Sequence, residues 1–158
     1  MRSYVTPSRR AVLAGLAVGL AVGRSVAAEG LPTVAVTKDP SCGCCRKWVD
    51  HLREAGFTVT VTEGAVNPVK ARLGVPRDLA SCHTAVVDGY VVEGHVPADA
   101  VKRLLAEHPK GTGLAVPGMP AGSPGMEVEG MVPDTYEVVL FGPDGRTTFA
   151  RYRGGQAI

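Results

Sequence analysis

The chain reads as one mixed α/β domain of layered strands and helices. Three observations predict this. Short Val-rich runs suited to strands alternate with stretches of helical period. An Asp88-Gly89 pair separates two apolar runs, and an apolar stripe at three- and four-residue spacing follows it.

Taken in order, Leu31 to Lys38 contains Val34-Ala35-Val36, a short apolar run for a buried strand, and Asp39-Pro40-Ser41 breaks it. From Cys42 the period turns helical, with Cys45, Trp48, Val49 and Leu52 on one face and Gly56 as the stop. Phe57 to Val61 alternates with Thr as a second strand, and Val66 to Leu73 forms a short helix entered through Asn67-Pro68. Thr84 to Val87 and Tyr90 to Val92 flank Asp88-Gly89, a strong hairpin signal. Pro97 to Glu107 is an amphipathic helix with Val101, Leu104 and Leu105 inward.

The order β-α-β-α-β-β-α is the thioredoxin arrangement, so the expectation is a thioredoxin-like three-layer domain over 29–110. That arrangement places a CxxC at the start of the first helix. Residues 111–133 are rich in Gly and Pro, carry Met119, Met126 and Met131, and lack a clean period, which predicts a long irregular loop. Tyr136 to Phe141 and Thr147 to Tyr152, around Gly142-Pro143-Asp144-Gly145, predict a C-terminal β-hairpin extension over 134–158 of the same domain.

Residues 1–28 read as a secretory signal peptide. Arg2, Arg9 and Arg10 precede the apolar run Ala11 to Gly23, and Val26-Ala27-Ala28 supplies small residues for cleavage near Ala28. Ser8-Arg9-Arg10-Ala11-Val12-Leu13 also resembles a twin-arginine signal. The apolar run spans 13 residues, against the roughly 20 a membrane helix needs, so no span is expected after cleavage. The segment holds four Arg and no acid, which leaves 13 Lys and Arg against 15 Asp and Glu. A slightly acidic mature chain of about 130 residues argues for one domain and against nucleic-acid binding.

The stretch KDPSCGCCRKW packs Cys42, Cys44 and Cys45 into four residues, and Cys82 follows in SCHT. In an oxidising compartment four cysteines usually make disulfides. Here Cys44 and Cys45 are adjacent and Cys42 and Cys44 nearly so; one Cys42–Cys45 bridge is open, with Cys44 and Cys82 left over. Thiols at a helix N-terminus feel the positive end of the helix dipole, which favours thiolate, and crowded thiolates repel one another. A soft cation resolves that conflict.

Counting back from Asp88-Gly89, in the spacing of glutaredoxin-like chains, puts His83 where a cis-proline would face the CxxC. Cys82 then lies at the same mouth as the other sulfurs. Zinc prefers four tetrahedral ligands from paired knuckles, a poor match to CxCC plus one Cys. Copper(I) accepts two or three thiolates and shares them between ions. Met119 and Met126, on a loop that could fold over the site, offer soft thioethers, and His83 or His95 an imidazole. Packing against the core is the commoner use of such methionines, and solvated histidine the commoner state of His51 and His108, which receive no role. Trp48 reads as core.

Three separated blocks, CGCCRKWVDHLREAGF, DLASCHTAVVDGYVVEGHVPADAVKRLL and GLAVPGMPAGSPGME, together resemble the CopG-type copper-resistance proteins, a thioredoxin-like family catalogued as domain-of-unknown-function family 411. The likeness runs from about Thr33 to Glu127. It implies a periplasmic protein that binds one or several copper ions, as Cu(I), through Cys42, Cys44, Cys45 and Cys82. His83, His95, Met119 and Met126 lie in the matching blocks as helpers. It also implies dealings with periplasmic copper carriers or efflux components, and leaves open interconversion of Cu(I) and Cu(II). The rival reading is a thiol–disulfide oxidoreductase, with Cys42 as nucleophile and Cys45 as resolving thiol.

Overall fold

The computed structural model describes residues 30–158; the signal segment expected over 1–28 lies outside them. Eight strands form one sheet in the order β2-β1-β3-β4-β5-β6-β7-β8. In chain order the elements are β1 (Val34–Lys38), α1 (Gly43–Glu54), β2 (Val59–Glu63), α2 (Val66–Arg72), β3 (His83–Val87), β4 (Tyr90–Glu93), α3 (Ala98–Glu107), β5 (Gly113–Ala115), β6 (Thr135–Gly142), β7 (Gly145–Arg153) and β8 (Gln156–Ala157), with a single 3-10 turn at Arg77–Leu79. β1 pairs parallel with β2 and antiparallel with β3. The β-α-β-α-β-β-α order expected over the first part of the chain is therefore present. Among the described residues, no helix is long and apolar enough to cross a membrane.

Side-chain alternation on the strands divides the interior into two layers of contact. Val34, Val36, Ala85, Val87, Val92 and Leu114 join Trp48, Val49 and Leu52 of α1 and Val101 and Leu104 of α3 in one buried cluster. Val91, Ala115 and Phe141 point to the other face, where they meet Val75 and Leu79 beyond α2. Period-two strands between period-3.6 helices give a helix–sheet–helix sandwich, because each strand residue must bury against a different layer from its neighbour. The hairpin closes as its sequence requires: Asp88 and Gly89 both adopt positive φ, 47° and 81°, the pair of left-handed residues that a two-residue turn between right-twisted strands needs.

Two differences from the sequence reading matter. The segment 111–133 is not irregular throughout: Gly113–Ala115 forms β5, parallel to β4 and antiparallel to β6. A three-residue strand is too short to show a period. It also depends on glycine, since a Cβ at Gly113 would run into the backbone of Val91. Through β5 the C-terminal hairpin, β6 and β7, continues the core sheet, and β8 adds a final two-residue edge. The second strand starts later than Phe57, which instead turns into the core, 4% exposed.

His51, given no role from sequence, has a structural one. Pro97 caps α3 with no side-chain bond, and the free Ala98 N–H instead donates to His51 Nε2 at 3.0 Å. That bond needs an unprotonated nitrogen. Burial is the leading cause lowering the His51 pKa, against the pull of Glu127, Asp99 and Glu54. A depressed folded pKa gives stability that is complete above the unfolded value of about 6.5 and is lost as pH falls below it toward the folded value. The melting temperature is expected to drop on acidification from pH 7 to 5, and less steeply in His51→Gln, whose amide oxygen can still accept from Ala98. Parallel profiles for the two proteins would show that His51 does not carry this dependence.

Candidate metal centre

The cysteine trio is held by a turn and a helix start. Asp39 accepts from Ser41 N–H at 2.8 Å and from the Ser41 hydroxyl at 2.5 Å, the local side-chain bonding that favours Asp in turns. Cys42 N–H donates to the Asp39 carbonyl at 3.1 Å. Cys42 is then the N-cap of α1, its Sγ accepting from Cys45 N–H at 3.3 Å. No acidic residue occupies the first turn, so the positive end of the helix faces the sulfurs unopposed.

Cys42 and Cys45 are joined by a disulfide, and Cys44 and Cys82 are free thiols. Cys44 Sγ lies 3.5 Å from Cys42 Sγ and 3.9 Å from Cys82 Sγ. The four sulfurs thus converge at one mouth, although Cys82 is nearly forty residues away in sequence. The same mouth contains a second group: Cys82 Sγ is 3.3 Å from His83 Nδ1 and 3.1 Å from His95 Nε2. Cys42, Cys44, Cys45 and Cys82, and separately Cys82, His83 and His95, are each close enough for a single ion.

The two histidines are fixed differently. His95 Nδ1 faces the Pro124 carbonyl at 2.8 Å. A carbonyl can only accept, so Nδ1 carries the proton and Nε2 presents a lone pair to Cys82. His83 starts β3 with its ring against Trp48 (centroids 4.3 Å apart) and edge-on to His95 (5.0 Å). Its Nε2 is buried without a hydrogen-bond partner, and an unpaired buried nitrogen is one that a metal ion or water would satisfy. Burial holds both imidazoles below their usual pKa; at His83 the neighbours His95 and Lys70 add to it, and at His95 the Pro124 carbonyl and Glu127 oppose it. Both are therefore neutral near pH 7, as metal ligation requires. The Cys82 thiol is pushed up to about 11, first by burial and then by Cys44. It is protonated at neutral pH and donates to His95.

The Gly/Pro/Met loop lies across this mouth. Pro124 holds His95, and Gly125, at φ 87°, passes so close to α1 that a Cβ would sit 2.7 Å from the Cys44 carbonyl oxygen and 2.8 Å from Trp48 N. Ser81 ties the other end by donating to the Gly118 carbonyl at 2.5 Å. Met126 follows Gly125 and is half-buried, whereas Met119, next to Gly118, is 54% exposed. The structure thus draws Cys42, Cys44, Cys45, Cys82, His83 and His95 together and leaves Met119 at the outer rim of the loop. Sequence reasoning missed Pro124, Gly125 and Ser81, which hold the site but carry no chemical signature of it; the only hint was glycine and proline at a long loop's crossing point.

Comparison with known proteins agrees. A family model described as protein of unknown function, DUF411, matches residues 79–126. Two solved structures, forms 1 and 2 of copper resistance protein CopG, are each 46% identical to this chain. The first covers 78% of this chain and 99% of its own length with a TM-score of 0.72, and the second covers 77% and 98% with a TM-score of 0.73. No curated protein matches. Identity at this level over nearly the whole of those proteins, with CxCC and SCHT converging in the fold, places this chain in the CopG copper-resistance family.

Proposed function

We propose that the chain is a periplasmic copper-binding protein that serves copper resistance by holding Cu(I) among Cys42, Cys44, Cys45, Cys82, His83 and His95. The observation that carries this reading is the meeting of four sulfurs and two neutral imidazoles at one half-buried mouth. Thiolate and imidazole suit a soft ion such as Cu(I), and His83, whose Nδ1 faces Cys82, has a second ring nitrogen that the fold leaves unpaired. Met126 and Met119 lie on the loop over the mouth, where thioethers would receive copper on its way in or out. In the disulfide form only Cys44 and Cys82 offer sulfur as thiols. Reduction of the Cys42–Cys45 bond, taking two electrons and two protons, supplies two more and raises the capacity for copper. Copper as cargo would arrive from, or leave to, periplasmic carriers or efflux components, and oxidation of two Cu(I) to two Cu(II) would supply the two electrons that reduction of the one Cys42–Cys45 bond takes up.

The test is anaerobic titration of both redox forms with Cu(I) against a chromophoric chelator. The reduced protein is expected to take up more copper than the disulfide form. Each ion that engages Cys82 must displace its proton, so uptake at pH 7 is expected to release protons into a weakly buffered solution, and apparent affinity to climb with pH toward 11. Uptake with no proton release would remove Cys82 from the ligand set.

One observation favours a second reading. The Cys42–Cys45 disulfide caps a helix N-terminus, where thiol–disulfide oxidoreductases place theirs. Rapid, repeated insulin reduction by the metal-free protein would favour that enzyme over a copper binder.

A further inference from the structure

On the sheet face opposite the sulfur mouth lies a buried charged group that the copper reading does not use. Glu93 is 0% exposed and Lys70 6%. Lys70 Nζ donates to Glu93 Oε1 at 2.5 Å and to Thr84 Oγ1 at 2.9 Å, and Thr84 in turn donates to Glu93 Oε2 at 2.6 Å. Thr84 and Glu93 are cross-strand partners in the β3–β4 ladder. Alternation along β3 sends Thr84 toward α2 and its neighbour His83 toward Trp48. Removing two charges from water costs several kcal/mol per ion before their attraction offsets it, so a buried pair is weak evidence of stabilisation. Its retention in a small domain calls for another reason.

The remaining bond of Glu93 supplies one. Oε1 also accepts the backbone N–H of Ser81 at 2.6 Å. Ser81 precedes Cys82, its hydroxyl holds the Gly118 carbonyl of the loop at 2.5 Å, and its Oγ lies 3.9 Å from Cys82 Sγ. Gly94, directly after Glu93, makes room for it: at φ 72°, a Cβ there would lie 2.6 Å from both Ser81 Cβ and the Val116 carbonyl oxygen. One carboxylate on the far side of the sheet therefore fixes the chain at Ser81, and Ser81 fixes both the Cys82 thiol and the loop.

We infer that Glu93, oriented by Lys70 and Thr84, is a positioning residue that sets Cys82 against Cys44 through the Ser81 amide. The inference rests on the copper reading only for its consequence in affinity; the placement of the two thiols is independent of metal. Outer partners that orient ligands commonly matter by about 10- to 100-fold in affinity.

Two double variants separate the hydrogen bond from the charges. Lys70→Met with Glu93→Gln removes both charges but keeps an amide oxygen for Ser81 N–H. Lys70→Met with Glu93→Leu removes the acceptor as well. In the disulfide form without metal, dibromobimane bridges Cys44 and Cys82 only when the thiols stay close, and its fluorescence reads the rate. The polar pair is expected to crosslink and bind Cu(I) like the parent. The apolar pair is expected to be about tenfold slower and about tenfold weaker, with circular dichroism unchanged. Parent-like behaviour of a folded apolar pair would overturn the proposal, as would equal losses in both pairs. Should the apolar pair not fold, Glu93→Asp serves: it keeps the charge beside Lys70 but draws the acceptor back by about 1.5 Å. Unchanged crosslinking in folded Glu93→Asp overturns the proposal equally. Because crosslinking needs no copper, a parent that failed to bind copper would sink the functional reading and leave this test standing.

Discussion

Cys44→Ser is expected to lower Cu(I) affinity by at least about tenfold in the reduced protein, while the melting temperature changes little. The size follows from what the substitution removes. Outer-sphere partners alone are commonly worth 10- to 100-fold, and the proposed site has the Cys44 sulfur at its centre, 3.5 Å from Cys42 Sγ and 3.9 Å from Cys82 Sγ. A serine hydroxyl is a hard oxygen that stays protonated, and a soft ion gains little from it. The side chain is half-buried at the mouth and not in the main hydrophobic cluster, so the fold should hardly feel the change. Cys42 and Cys45 remain in place, so the variant keeps a CxxC with its disulfide. It therefore separates the two functional readings: a thiol–disulfide oxidoreductase would keep its activity in Cys44→Ser, and a copper site would lose its bridge between the helix sulfurs and Cys82. Affinity equal to the parent in a chelator competition would strike the third thiol from the ligand set.

Trp48→Ala should cost about 3–5 kcal/mol of stability, the range for deleting a buried aromatic. Trp48 is 0% exposed and belongs to the main cluster beneath α1. Its Nε1–H donates to the Val96 carbonyl at 2.9 Å, so alanine leaves a cavity and an unsatisfied carbonyl together. The ring also supports His83 from one side, and the Trp48 backbone underlies Gly125. Copper affinity should therefore fall alongside stability. Trp48→Phe tests the division: it refills much of the cavity without the hydrogen bond, and should recover most of the stability measured by urea unfolding. If Trp48→Ala unfolds within about 0.5 kcal/mol of the parent, where ordinary surface substitutions fall, the ring is not the keystone of this packing.

Much of the architecture was legible because its signals are local. The α1 stripe of Cys45, Trp48, Val49 and Leu52 is buried residue for residue, since a 3.6-residue period with one apolar face has one low-energy way to sit on a sheet. Asp88-Gly89 fixed the β3–β4 hairpin because few other residues tolerate positive φ twice in succession. β5 was not legible. Three residues carry no period, and what makes Gly113 a strand residue is the backbone of Val91 beside it.

The site divides along the same line. Sequence alone singled out the groups of the proposed chemistry: three cysteines too close together to be explained by packing, and a fourth beside a histidine. It also allowed Cys82 to be placed by counting from a turn, since strand register propagates from a hairpin one residue at a time. Only the tertiary structure decided the state and support of those groups. The proton on His95 Nδ1, the raised Cys82 pKa and the hold of Glu93 on Ser81 each arise between segments far apart in the chain. Burial and hydrogen bonding are properties of the assembled interior, and no window of the sequence contains them.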